Sequence, residues 1–99
     1  MTLADIQREA HETAVEKGWY ERERPPLELL MLITTEIAEC AEEWRRPDLD
    51  MRAVAEELAD VVIRCADAAA YWEIDLQEAV TEKMEANKAR PHRHGGKRY

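Results

Sequence analysis

Apolar residues recur at helical spacing along most of this chain. Leu3, Ile6, Ala10 and Ala14 form a stripe that predicts a first helix over Leu3–Lys17. Thr2 suits its N-cap, and Asp5 stands three residues on as a capping-box partner. Gly18 ends the helix, and Trp19–Arg24 leads to Pro25 and Pro26, which suit a loop and a helix start. Leu30, Ile33, Thr34, Ile37, Ala41 and Trp44 share one side of a second helix over Leu27–Trp44. Arg45, Arg46 and Pro47 close it, with cations at the carbonyl end. A third helix spans Met51–Trp72, capped by Asp48 or Asp50. Its apolar positions, including Val54, Leu58, Val61, Val62, Cys65 and Ala69, cover more than half its circumference. So wide an arc makes this helix central, or packs it on a second subunit as well. Asp75 caps a fourth helix that runs to Arg90, where Pro91 stops it.

These elements imply an all-α, antiparallel four-helix bundle-like domain over residues 1–90, oligomerising through apolar helix faces, with a basic tail over 91–99. A chain of 99 residues buries only about two-thirds of its unfolded surface, which is thin for a lone monomer. No apolar run reaches the ~18 residues of a membrane span, and no signal-peptide pattern opens the chain. Cys40 and Cys65 both fall in apolar helical patterns, as buried thiols in a reducing compartment would. A cytoplasmic protein without a membrane partner is expected.

The net charge of −8 is unevenly spread. Residues 88–99 carry five basic and no acidic side chains, leaving 9 basic against 22 acidic before them. Such a body repels nucleic-acid phosphates, which argues against a DNA partner and toward divalent cations.

The acidic residues are also patterned. Glu36, Glu39 and Glu43 line one edge of the second helix; Glu57, Asp60 and Asp67 line one edge of the third, with Arg64 among them. One such pair on a helix is commonplace as a solvated face. Two pairs on helices joined by a short connection can converge, and like charges that converge need a cation between them. Hard carboxylate oxygens suit Mg²⁺, with Mn²⁺ as a substitute, and do not favour Zn²⁺. The Glu-x-x-His pairing of di-iron bundles is absent, and His11, His92 and His94 lie outside both acidic helices. Such a site invites a polyphosphate. On the fourth helix, Lys83, Asn87 and Arg90 share the face of Leu76 and Val80, which would turn them inward as phosphate or ribose donors. Snorkelling near a helix end is the alternative.

Glu36-x-x-Glu39, then seventeen residues, then Glu57-x-x-Asp60 resembles the ExxE…ExxD signature of the MazG-like nucleotide pyrophosphohydrolases. "EELADVVIR" is similar to that family's third-helix motif, "KMEANKARPHRHGGKRY" to the Lys-x-x-x-Asn-x-x-Arg segment and tail of its small members, and "EKGWY" to their N-terminal pattern. The resemblance implies an all-α dimer or tetramer that hydrolyses nucleoside triphosphates, with Mg²⁺, to monophosphate and pyrophosphate. It implies Glu36, Glu39, Glu57 and Asp60 as metal ligands, with Glu39 the residue that orients or deprotonates the attacking water. It implies Lys83, Asn87, Arg90 and Lys97 as substrate-binding residues. The nucleobase is left open.

Outside the resemblance, Trp19 and Tyr20 either stack on a base or anchor the loop after the first helix. The tail "HRHGGKRY" either folds over phosphates or is a basic terminus drawn to the acidic body. No P-loop and no GxGxxG occurs, since Gly18, Gly95 and Gly96 are the only glycines. A different class, a non-catalytic helical dimeric adaptor, accounts for the broad apolar arc but not for acidic pairs bordering it. Phosphoribosyl-ATP pyrophosphohydrolase is a nearer alternative, cleaving the same kind of bond.

Overall fold

The computed structural model describes residues 1–91. Lys97, His92, His94 and the rest of the basic tail lie outside the described residues. Four helices follow in order: α1 Leu3–Glu16, α2 Pro26–Arg45, α3 Met51–Tyr71 and α4 Leu76–Lys88. The sequence-based boundaries agree to within two residues at all eight ends, the largest difference being α4, which ends at Lys88 and not Arg90.

The ends are set by the chemistry the sequence offers. The Thr2 hydroxyl accepts from the Asp5 amide at 3.1 Å, and the Asp5 carboxylate accepts from the Thr2 amide at 2.9 Å, a complete capping box. Asp50, not Asp48, caps α3 by accepting from the Arg52 amide, and Asp75 caps α4 by accepting from Glu78. Two C-termini close alike. After α1, Gly18 at φ 86° donates to Val15 and Trp19 donates to Ala14. After α3, Glu73 at φ 57° donates to Ala70 and Ile74 donates to Ala69. Both are Schellman closures, the first with the glycine that left-handed backbone favours and the second without it.

α3 is the central element and packs on α1, α2 and α4. It runs antiparallel to α1, because Gln7 Nε2 donates to the Ile74 carbonyl while His11 lies against Asp67. Its pairing with α2 likewise brings Glu36 to Arg64 and Glu39 toward Glu57. The core is built of small residues: Ala66, Ala68 and Ala69 of α3 are buried together with Val54, Leu29 and Cys40. Small side chains let the helices approach closely, and the larger apolar residues are left outside.

The apolar stripe on α2 shows this plainly. Leu29, Ile33, Glu36 and Cys40 are turned to the protein interior, whereas Leu30, Ile37 and Trp44 of the expected stripe are exposed, Ile37 at 54%. The acidic edge of α2 packs toward α3, which rotates its richest apolar edge away from the chain's own core. α4 departs from expectation too. Leu76 is its one half-buried residue, and the helix projects beyond its contacts with α1 and α3.

Candidate functional site

The α2–α3 interface gathers carboxylates. One oxygen from each of Glu36, Glu39 and Glu57 lies within 4.8 Å of the others. Residues three apart on α2 supply the first two, and α3 supplies the third from across the interface. Asp60, one turn on from Glu57, is exposed and stands outside this group of three, though its charge is felt at Glu57. The Glu36 side chain is 12% exposed and accepts from Arg64 Nε at 3.3 Å. The Arg64 guanidinium in turn lies over the Trp19 ring, 4.1 Å from its centroid, an arrangement that favours a cation on an aromatic face.

Glu57 has the most costly environment. Its Oε2 is buried and has no hydrogen-bond partner. Burial first, then the charges of Glu39, Asp60 and Glu36, push its carboxyl above the usual carboxylate range. An orphaned buried oxygen facing two further carboxylates is a donor set that fits a hard divalent cation. The acidic pairs of the sequence therefore do converge, through three of their four members.

A second group was not legible in the sequence. Asp67 is 6% exposed and buried among the alanines of α3. His11 Nδ1 lies 2.9 Å from its Oδ1, and the Tyr20 hydroxyl donates to its Oδ2 at 2.6 Å. A carboxylate only accepts, so the imidazole proton of this contact sits on Nδ1. Tyr20 stacks on Tyr71 at 4.3 Å between centroids, and the Tyr71 oxygen accepts from the Arg24 amide. Burial and the bond to Asp67 push the Tyr20 hydroxyl well above its ordinary range. The one available signal was a lone acid inside the apolar run Cys65–Ala70; its partners are 56 and 47 residues away.

Between α1 and α3 lies a groove of about 680 Å³. Ile6, Ala10 and Ala14 form one wall, and Asp60, Arg64 and Asp67, at steps of four and three, form the other. Trp19 closes it near Arg64. Thr13, Glu9 and Lys17 add polar groups along α1. One end of the groove thus borders the carboxylate cluster through Asp60 and Arg64, and Asp67 lies further along.

Lys83, Asn87 and Arg90 do not point inward as expected; all three are exposed in the single chain. The projection of α4 away from α2 is the physical reason, since α4 makes its contacts with α1 and α3.

No protein-family model matches the chain. Its sequence is similar to dCTP pyrophosphatase 1 of Mus musculus, at 36% identity over 100 residues, covering 90% of this chain and 58% of that relative. The Bos taurus protein of the same name is 36% identical over 101 residues, covering 90% and 59%, and the Homo sapiens protein 35% over 100 residues, covering 90% and 58%. The chain thus spans less than two-thirds of the length of the curated relatives it matches.

Proposed function

We propose that this chain is a Mg²⁺-dependent nucleoside triphosphate pyrophosphohydrolase of the MazG-like type, acting in the cytoplasm as a homo-oligomer. The observation that carries the reading is Glu57 Oε2, buried and unpartnered beside Glu36 and Glu39. Similarity to proteins named for dCTP pyrophosphatase activity supports the same bond-cleaving class. It also makes deoxynucleoside triphosphates the first substrates to assay. Glu36, Glu39 and Glu57, with Asp60 one turn on from Glu57, would hold the metal. Mn²⁺ substitutes for Mg²⁺ on the same oxygen ligands.

A divalent ion bound there supplies charge neutralisation for the polyphosphate and acidifies water. The chain's own residues supply the rest. Glu39 is the exposed member of the three and so the one open to solvent. Its carboxylate orients the attacking water and takes up its proton. Water oxygen bonds to the α-phosphorus as the bond from that phosphorus to the α,β-bridging oxygen breaks. The electron pair leaves with pyrophosphate. Arg64 holds Glu36 in place and balances its charge. Lys83, Asn87, Arg90 and Lys97 are the substrate-binding set. The exposed position of the first three suits a role completed by assembly. The base lies in the α1–α3 groove beside Trp19.

Pyrophosphate release from a panel of canonical nucleotides, with Mg²⁺ and with EDTA, tests the reading. Monophosphate and pyrophosphate in equal amounts are expected only with metal. Glu39→Gln is expected to lower kcat by about 10²–10⁴-fold, the range of a lost general base. Diphosphate and inorganic phosphate as products, or turnover indifferent to EDTA, would contradict it.

A further inference from the structure

We infer that Asp67, set in place by His11 and Tyr20, selects the nucleobase by accepting a hydrogen bond from an exocyclic amino group. The inference rests on the nucleotide-hydrolysing reading above and names the class of base that the same site takes.

The placement comes first. Asp60, Arg64 and Asp67 form one face of α3 along the groove. Asp67 stands seven residues beyond Asp60, which at 1.5 Å per residue is about 10 Å along the helix axis. A polyphosphate held at the carboxylate cluster therefore directs its sugar and base along the groove toward Asp67. Arg64 and Trp19 stand between the two ends. The Trp19 ring, with Arg64 over its face, borders the groove and offers no hydrogen-bond acceptor.

The chemistry follows from what Asp67 offers. Its two oxygens each take one donor, from His11 and from Tyr20. A carboxylate has about four acceptor positions, so capacity is left over. Both partners grip it from α1 and from the loop after α1, and Asp67 is among the residues that line the groove. An acceptor-only group welcomes an amino group and repels a carbonyl oxygen. Cytosine and adenine carry an amino group where uracil and hypoxanthine carry a keto group. A keto base would set two oxygens against each other in a largely apolar groove.

The alternative is that Asp67 is only a tie between α1, α3 and the loop. A single substrate pair separates the two. dCTP and dUTP differ at the base at C4, amino against keto, and at N3, an acceptor in cytosine and an N–H donor in uracil. Wild-type protein with Mg²⁺ is expected to favour dCTP in kcat/KM. Asp67→Asn keeps the shape and adds a donor, and the dCTP:dUTP ratio of kcat/KM is expected to fall by at least about tenfold. A purely structural role lowers both substrates by one factor and leaves the ratio unmoved, which would overturn the inference. So would wild-type protein that hydrolyses both equally. Should Asp67→Asn fail to fold by circular dichroism, Tyr20→Phe decides. It leaves the carboxylate but frees one oxygen, so the ratio is expected to shift, and an unchanged ratio overturns the inference. Release of pyrophosphate from neither nucleotide is a separate result that sinks the nucleotide reading itself.

Discussion

Glu57 sits where burial and three neighbouring acids all oppose its charge. A carboxyl raised in the folded state binds its proton more tightly there than in the unfolded chain. Its stabilising contribution is full below the unfolded value, about 4.3, and is lost as pH rises through the raised folded one. Metal-free protein therefore loses stability on this group's account as pH rises above about 4.3. Glu57→Gln removes the charge while keeping the shape. In EDTA at pH 7.5 the variant is expected to melt above wild type, with the advantage gone near pH 4. Mg²⁺ at a hundredfold its Kd is expected to stabilise wild type by about 2.7 kcal/mol and the variant much less. Thermal melting in the four conditions checks this; a variant less stable than wild type in EDTA would contradict it. The spacing of Glu36, Glu39 and Glu57 was readable in the sequence because all three obey helix periodicity on two adjacent helices. The grip of His11 and Tyr20 on Asp67 was not, because nothing local links residues so far apart in the chain.

At the scale of elements, helix ends were the most legible feature. Thr2, Asp75 and Gly18 act where capping chemistry put them. Glu73 escaped notice because glutamate gives no turn signal, yet it occupies the left-handed position of the α3 closure. A side chain there crowds the following carbonyl. Glu73→Gly is therefore expected to stabilise the protein by about 1 kcal/mol, the backbone strain relieved exceeding the added freedom of the unfolded chain. Urea denaturation reads the change, and a loss of stability would mean that Glu73 is not strained. The inward face of α2 was harder to read than its existence. Apolar residues occupy two of its edges, and the choice between them depends on whether Glu36 or Ile37 faces α3, which only the packing decides.

The whole chain is more open than its size allows for a compact monomer. Its accessible surface is 7825 Å², against about 5800 Å² for a folded monomer of this mass. Its radius of gyration is 16.0 Å, against about 13 Å for a compact domain of 100 residues. Leu30, Ile37 and Trp44 on α2 and Leu58 and Val62 on α3 are among the large apolar residues left exposed. Light scattering on eluted protein is expected to give at least a dimer, and the double variant Ile37→Glu, Leu58→Glu to give smaller species; a wild-type monomer would contradict assembly through these faces. The proposal that two helices gather carboxylates around a catalytic metal is tested most directly by diffraction. Crystals grown with Mn²⁺ and a non-hydrolysable nucleotide are expected to show anomalous density bonded to Glu36, Glu39 and Glu57, with phosphate oxygens completing the coordination. Manganese bound elsewhere, or those three carboxylates without metal while nucleotide is present, would contradict it.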